Sequence, residues 1–271
     1  MKAMRTIVKA IRALVAAAPA LIMALAAGCT VKEDRVPCPC VLHVSLAGGD
    51  SPASLVGLSA WGQAEEFRDE VDLSMYDPSW DRAVHKGMYT LTAWESGARV
   101  SGAGHHVIIP VGAEADSLYA CHVPVDATGE EAWAEVSLRK QFATVTVHLR
   151  RSPDQMAAST FVVEGNTCGF DLLDFSPIAG TFRHEPVSAP GQGSVSFRVP
   201  RQADNSLTMR AIVPGADLGD IPIGEYIARM GYDWGEESLR DITVIIDLVI
   251  GGVMITVNDW EEGAWFDLVT L

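Results

Sequence analysis

The sequence predicts an all-β chain organised as β-sandwiches, and three observations support this class. Positions 143, 145, 147 and 149 are apolar while 144, 146, 148 and 150 are polar, the period of a strand with one buried face. The runs 242–250 and 253–257 flank Gly251-Gly252, a hairpin signal because such turns favour positive φ. Almost no stretch of eleven or more residues has a 3.6-residue repeat. Many short strands, spaced about ten residues apart, indicate sandwiches.

The boundary between two sandwiches is predicted near residue 150, give or take about ten residues, because Arg150-Arg151-Ser152-Pro153 ends the alternating strand. The segment 67–80 is acidic and mixed, with a turn at Asp77-Pro78-Ser79. Pro222 and Gly224 are interpreted as a turn that leads into a strand. The predicted strands are 40–46, 55–61, 87–94, 105–110, 118–125, 142–150, 159–164, 195–199, 207–213, 242–250 and 253–257.

The N-terminus has the layout of a secretory signal. Four basic residues lie within the first twelve positions, and residues 13–27 carry no charge. This apolar segment is too short for a span, which needs about 20 residues. The string Leu25-Ala26-Ala27-Gly28-Cys29 resembles the bacterial lipobox. We therefore predict that residues 1–28 are removed and that Cys29 carries a diacylglycerol and an N-acyl chain. An ordinary signal with a chance cysteine is the alternative.

The mature chain of 243 residues is strongly acidic. It has 16 basic side chains against 35 acidic ones, a net charge of −19. This charge repels phosphate backbones and argues against nucleic-acid binding. Anionic headgroups would not attract the chain either, so membrane association is expected to come from the lipid alone. Residues 29–37 are predicted to be a polar tether.

Four further cysteines leave three possible disulfide pairings, and the sequence does not choose among them. They are Cys38, Cys40, Cys121 and Cys168. Buried free thiols, or a bridge from Cys38 or Cys40 to Cys121 or Cys168, are the alternatives. Cys38, Cys40 and His43 loosely mimic half of a zinc site, but no second half follows. We therefore predict no metal site.

No catalytic set stands out, and the chain is predicted not to be an enzyme. The sequence has no G-x-S-x-G elbow and no H-E-x-x-H helix motif. His148 belongs to the polar face of the alternating strand, where a solvated histidine is expected. His105 and His106 cannot face the same way in an extended strand, which argues against shared metal ligation. No small-molecule cofactor is expected.

Several fragments resemble one protein family. They are Ser137-Leu138-Arg139-Lys140-Gln141-Phe142, Ile221-Pro222-Ile223-Gly224-Glu225-Tyr226-Ile227, Gly231-Tyr232-Asp233-Trp234, Ser238-Leu239-Arg240-Asp241-Ile242 and Val257-Asn258-Asp259-Trp260. Together with the lipobox they look like the FimB-type fimbrillin anchor subunits of type V fimbriae. The resemblance implies two tandem transthyretin-like β-sandwiches, here 38–150 and 151–271. It also implies a surface filament whose subunits join by donating strands, and shaft subunits that lose an N-terminal strand to an arginine-specific protease.

An anchor held by lipid cannot be cut near its N-terminus without release, so we expect this chain to keep its first strand. Arg35, Arg150 and Arg151 are candidate protease sites, and Arg35 is expected to be shielded or unused. The last seven residues are the candidate donor strand to a fimbrial shaft subunit: Trp265, Phe266, Asp267, Leu268, Val269, Thr270 and Leu271. An ordinary final strand within the second sandwich is equally consistent with the sequence.

The expected location is the outer membrane, with exposure at the cell surface as part of a fimbria. Lys32-Glu33-Asp34, close behind Cys29, is similar to a surface-export signal of lipoproteins in Bacteroides-like bacteria. The alternative function is a surface lipoprotein that binds glycans through exposed tryptophans. The candidates for such platforms are Trp61, Trp80, Trp94, Trp133 and Trp265. A lipid-anchored hydrolase is a third possibility, with no motif to support it.

Overall fold

The computed structural model describes residues 38–49, 54–63, 65–73, 79–95, 100, 105–150, 156, 158–189, 192–247, 252–257 and 264–267. The chain divides after Cys38, and the architecture below lies within Pro39–Leu271. The predicted signal segment, Cys29, the tether and residues 268–271 fall outside the described residues. No helix within the described ranges is long and apolar enough to cross a membrane.

The all-β prediction is confirmed: the described ranges contain seventeen strands and one short helix. The helix α1 spans Ile223–Arg229. The strands are β1 Cys40–Gly49, β2 Leu55–Gly62, β3 Glu66–Asp72, β4 Ser79–Val84, β5 Met88–Glu95, β6 His106–Ile108, β7 Tyr119–Asp126, β8 Glu131–Lys140, β9 Phe142–Leu149, β10 Thr160–Asp171, β11 Ser176–His184, β12 Ser194–Pro200, β13 Thr208–Val213, β14 Ala216–Ile221, β15 Ile242–Asp247, β16 Gly252–Val257 and β17 Ala264–Asp267.

The first module is a seven-stranded sheet in the order β3-β2-β5-β7-β8-β1-β4. The pairing between β7 and β8 covers two residue pairs only, Tyr119 with Lys140 and Ala120 with Arg139. Inward residues on both sides of this narrow junction belong to one hydrophobic cluster, among them Leu42 on β1 and Leu91 on β5. The two halves of the sheet therefore face each other across a shared core, as in a sandwich.

The second module contains two five-stranded sheets around its own core. One sheet has the order β11-β10-β13-β14 with β6 added against β10. The other has the order β12-β9-β15-β16-β17. The predicted antiparallel pairing of these two strands is confirmed, since β15 pairs with β16. The predicted turn at Gly251-Gly252 is wrong, because Gly252 belongs to β16 and lies opposite Asp247; residues 248–251 lie outside the described residues.

Strand pairing assigns β6 and β9 to the second module, whereas a boundary near residue 150 would leave both in the first. The alternating strand β9 pairs with β12 and runs parallel to β15, so its apolar face packs in the second core. Only Gln141 separates β8 from β9. The chain thus passes between the modules without a Pro-, Gly- or Ser-rich linker that a sequence pattern would reveal.

A small hydrophobic cluster joins the modules. Trp94 of β5 and Ala120 of β7 pack there with Phe170 and Leu172 from the end of β10. The Thr92 hydroxyl, which is fully buried, donates a hydrogen bond of 3.0 Å to the Leu172 carbonyl oxygen. The two modules therefore share a packed, hydrogen-bonded joint.

The segment after Pro222 forms α1 and not the predicted turn into a strand. Its seven residues are too few to show a helical period in an eleven-residue window. Gly224 is needed there for close packing, because a Cβ at this position would lie 2.4 Å from the Asn205 carbonyl oxygen. Strands β3, β4, β8, β11 and β14 were also absent from the prediction.

Candidate functional site at the two ends of the chain

Strand β1 is held on both edges. It pairs antiparallel with β4 through six residue pairs and parallel with β8 through seven. Its inward residues Cys40, Leu42 and Val44 have no exposed surface. Because both edges are paired and one face is buried, β1 exposes no row of unsatisfied backbone groups. That the chain keeps this strand after processing stays a prediction.

The outward face of β1 carries a row of polar and aromatic contacts. His43 Nδ1 lies 2.8 Å from Asp81 Oδ1 on β4. The His43 ring also stacks on Trp133 of β8, with centroids 4.2 Å apart and an interplanar angle of 20°. Cross-strand contacts of this kind add to the stability of β1.

The four described cysteines are free thiols. Of the two alternatives that the sequence left open, free thiols are therefore the one observed. Cys40 and Cys121 are buried, and this burial raises the pKa of both thiols. Among the described residues, Cys38, Cys40 and His43 do not form a group of three close ligands.

Strand β17 is the edge strand of its sheet and pairs with β16 through four residues. Phe266 lies opposite Val253 and packs on the second core. Its ring stacks on Tyr226 of α1, with centroids 3.9 Å apart and parallel planes. The outer edge of β17 has no neighbour within the described sheet. Backbone groups on such an edge can pair with another chain.

The predicted donor segment therefore has two parts. Trp265, Phe266 and Asp267 lie in β17, paired within their own module. Leu268, Val269, Thr270 and Leu271 lie outside the described residues. An edge strand in its own sheet is the state expected of the chain alone, and donation to a second subunit stays a prediction.

The candidate glycan platforms differ sharply in exposure. Trp94 is 1% exposed, and Trp80 is half-buried, stacked on Phe67 with centroids 5.5 Å apart. Trp61 is half-buried, and its Nε1 has no partner within the described ranges. Trp133 is 74% exposed. The Trp265 side chain falls outside what the structure describes.

A broad cleft of about 1010 Å³ opens beside α1, and no sequence motif marks it. Arg201 lies at its base, 8% exposed, and donates to Gln141 Oε1 at 2.9 Å and to the Glu236 carbonyl oxygen at 2.6 Å. Burial lowers the pKa of Arg201. The guanidinium N–H groups already donate to these oxygen atoms. We therefore interpret Arg201 as a structural residue that links Gln141 to the loop 234–237.

His148 is exposed on the polar face of β9, as predicted. The expectation that His105 and His106 face away from each other is wrong. One ring meets the other edge-on, with centroids 4.2 Å apart and an interplanar angle of 73°. Strand β6 begins at His106, so His105 lies outside the strand and does not follow its alternation. Both histidines lie near Asp171, with one ligand atom of each of the three residues within 4.8 Å of the others.

No protein-family model and no curated protein matches the chain. Solved structures do match. A candidate polysaccharide-binding protein from Bacteroides thetaiotaomicron has 14% identity and a TM-score of 0.63, covering 84% of this chain and 98% of that chain. The fimbrial anchor protein Mfa2 from Porphyromonas gingivalis has 12% identity and a TM-score of 0.55, with 82% and 98% covered. A candidate adhesin from Bacteroides ovatus has 14% identity and a TM-score of 0.56, with 89% and 99% covered. The chain has the fold of these proteins.

Proposed function

We propose that this chain is a lipid-anchored outer-membrane subunit that anchors or assembles a cell-surface fimbria by β-strand donation to a neighbouring subunit. The observation that carries the proposal is the position of β1. It is an interior strand, paired on both edges with β8 and β4, and begins eleven residues after Cys29. A chain held by lipid at Cys29 would keep this strand, while β17 lies at a sheet edge.

Proteolytic removal of β1 would cost the module much of its core. It would break both ladders of β1 and expose Leu42 and Val44. The first arginine after β1 is Arg68, which lies within β3 and pairs with Ser59. An arginine-specific cut there would fall inside a paired strand and could not release β1 alone. This supports a subunit that is not opened in the way shaft subunits are.

The last strand is suited to donation. Strand β17 has one paired neighbour, and the stacking of Phe266 on Tyr226 is its main described side-chain contact. Exchange of this short strand would break four residue pairs, and the neighbour's groove would replace them with a new ladder. The name of the structurally similar protein Mfa2, a fimbrial anchor protein, agrees with this assignment.

The proposal is tested by Cys29→Ala in the cell that makes the fimbria. We expect the variant to take up no labelled palmitate and fimbriae to be shed into the medium, because burial of acyl chains contributes about 0.8 kcal/mol per CH₂. The matched control is Cys38→Ala, which changes a free thiol nine residues later and should keep both lipid and fimbriae. Surface-bound fimbriae in Cys29→Ala cells would contradict anchoring by this chain.

Donation is tested separately by deletion of residues 265–271. We expect the truncated chain to remain lipidated and folded, as judged by circular dichroism, while the shaft subunit no longer co-purifies with it. A control deletion of residues 270–271 shortens the same end and leaves Ala264–Asp267 in place. Normal attachment of the shaft after the larger deletion would remove the donor assignment and leave the anchor proposal intact.

A second candidate function is glycan binding through Trp133. This ring is 74% exposed and held flat against His43, an arrangement on which a sugar ring could stack. The name of the similar candidate polysaccharide-binding protein favours the same function. Retention on affinity gels of surface polysaccharides should be lost in Trp133→Ala and kept in Trp80→Phe. Equal retention of both variants, or none by the unaltered chain, would contradict this candidate.

A further inference from the structure

Three metal-ligating side chains meet where β6 joins the second module. His105 directly precedes β6, His106 is its first residue, and Asp171 is the last residue of β10. The register of the two strands places His106 opposite Asp171. Both histidines precede Gln141, the residue at which the chain passes from the first module to the second, and Asp171 follows it.

Their ligand atoms converge. His106 Nε2 lies 3.0 Å from Asp171 Oδ2, and one ligand atom of each residue lies within 4.8 Å of the other two. Tetrahedral zinc with bonds of about 2.0–2.1 Å places its ligand atoms about 3.3 Å apart. Side-chain rotations that move an atom by about 1.5 Å would therefore close the set around an ion.

Asp171 is oriented for this role by its other oxygen. Asp171 Oδ1 accepts hydrogen bonds from the backbone N–H groups of Leu173, at 2.8 Å, and Asp174, at 3.1 Å. These two hydrogen bonds fix the direction of the carboxylate, as the groups around a metal ligand commonly do.

His105 supplies a second, independent observation. Its Nδ1 is buried and has no hydrogen-bond partner within the described ranges. The ring is held edge-on to Trp61, with centroids 5.3 Å apart, and the His105 carbonyl oxygen accepts the Leu172 N–H at 2.7 Å. A buried polar atom without a partner is costly. The His106 imidazole and the Asp171 carboxylate lie beside this ring. Coordination of a metal ion by the His105 ring would offset the cost of its unpaired nitrogen.

We propose that His105, His106 and Asp171 form a binding site for a divalent transition-metal ion, with zinc as the ion of choice and water completing the coordination. Two imidazoles and one carboxylate suit zinc and exclude a calcium or magnesium cage, which uses oxygen ligands. Within the part of the chain that the structure describes, this is the one group of three such ligands.

The ion would cross-link two parts of the chain that are distant in sequence. Strand β6 has three residues and pairs with β10 through three residue pairs, which is little for a segment that leaves one module to join the other. A shared ion would link this segment to the end of β10 beside the hydrophobic joint. The proposed metal site does not depend on the fimbrial function.

The test is zinc titration of the full chain in detergent, with thiols capped by N-ethylmaleimide and excess magnesium present to occupy acidic surface sites. We expect one zinc ion per chain and a rise in melting temperature of about 5–10 °C at zinc concentrations a hundredfold above Kd. Cobalt(II) should bind without a thiolate charge-transfer band, since the proposed ligands are nitrogen and oxygen.

Variants His106→Gln and Asp171→Asn should weaken zinc binding about 100-fold or more, given that second-shell changes alone cost about 10–100-fold. The matched control is His43→Gln, which disrupts another His–Asp pair, at 2.8 Å, that has no third ligand. His106 is 42% exposed, so His106→Gln decides the test should Asp171→Asn fail to fold. No stoichiometric zinc, or equal loss in His43→Gln and His106→Gln, would overturn the proposal.

Discussion

Strands β1 and β17 are the first and last strands of the described sheets, and they are held in different ways. Strand β1 is an interior strand, with thirteen residue pairs to two neighbours and fully buried inward side chains. Strand β17 is an edge strand with four residue pairs to one neighbour, and its Phe266 is half-buried. The two strands therefore differ in position within their sheets, one interior and one at an edge.

The difference shows how one fold can serve as a fixed support at one end and a connector at the other. Removal of an interior strand opens a groove and a core, whereas removal of an edge strand leaves the remaining ladder intact. A chain held at its N-terminus therefore gains from an interior first strand and an edge last strand.

The largest stability effect is expected for Leu42→Ala in β1. Leu42 has no exposed surface, and truncation of such a side chain costs about 2–5 kcal/mol. Chemical denaturation followed by tryptophan fluorescence measures the change. The control is Val41→Ala on the outward face of the same strand, 36% exposed, which should cost under about 1 kcal/mol. Equal costs for both variants would show that β1 is not held as described.

A smaller effect is expected for Phe266→Ala in β17. The side chain is half-buried and stacked on Tyr226, so its truncation should cost about 1–2 kcal/mol, below the 3–5 kcal/mol typical of a buried Phe. The same denaturation experiment provides the value. A cost above that of Leu42→Ala would mean that the last strand is integral to the core and poorly suited to exchange.

The smallest effect concerns the Cys40 thiol at the start of β1. Burial raises the pKa of Cys40, while the unfolded chain has a thiol pKa of about 8.5. The folded state therefore keeps its proton at a pH where the unfolded state loses it. Stability is full below about pH 8.5 and falls as pH rises toward the folded pKa.

Denaturation between about pH 8 and pH 9.5, below the ordinary tyrosine pKa of about 10, measures this alkaline loss. Cys40→Ala should lose less stability over this interval than the unaltered chain, with the remainder due in part to Cys121, whose pKa burial also raises. An identical slope in both proteins would show that Cys40 is accessible to water in the folded state.

The local patterns predicted from the sequence agree with the structure where burial follows a simple alternation. Strand β9 is such a case, because every second side chain from Ala143 to Leu149 is buried. Strand β3 was missed since it lies at a sheet edge, where Phe67 is its one fully buried side chain and the others are mostly charged. The parallel pairing of β1 with β8 joins residues about ninety positions apart, which no local pattern encodes.

The candidate sites follow the same rule. Cys29 could be predicted as a lipid site because the lipobox is a contiguous string, and this stays a prediction because the residue lies outside the described ranges. Residues 264–267 form an edge strand because of the order of the strands in the sheet, and a local sequence pattern does not encode that order. The approach of His105 and His106 to Asp171 depends on where β6 begins and on its pairing with β10. Residues 65 positions apart meet there through tertiary structure alone.

Hydrogen–deuterium exchange of the chain alone tests the contrast between the two ends most directly. We predict that amides of 40–46 exchange only on global unfolding, whereas amides of Trp265 and Phe266 exchange at least about a thousandfold faster. Peptides that cover β1 and β17 can be compared in one mass-spectrometry experiment on the unaltered protein. Equal protection of the two strands, or faster exchange in β1, would contradict a fixed first strand and an exchangeable last one.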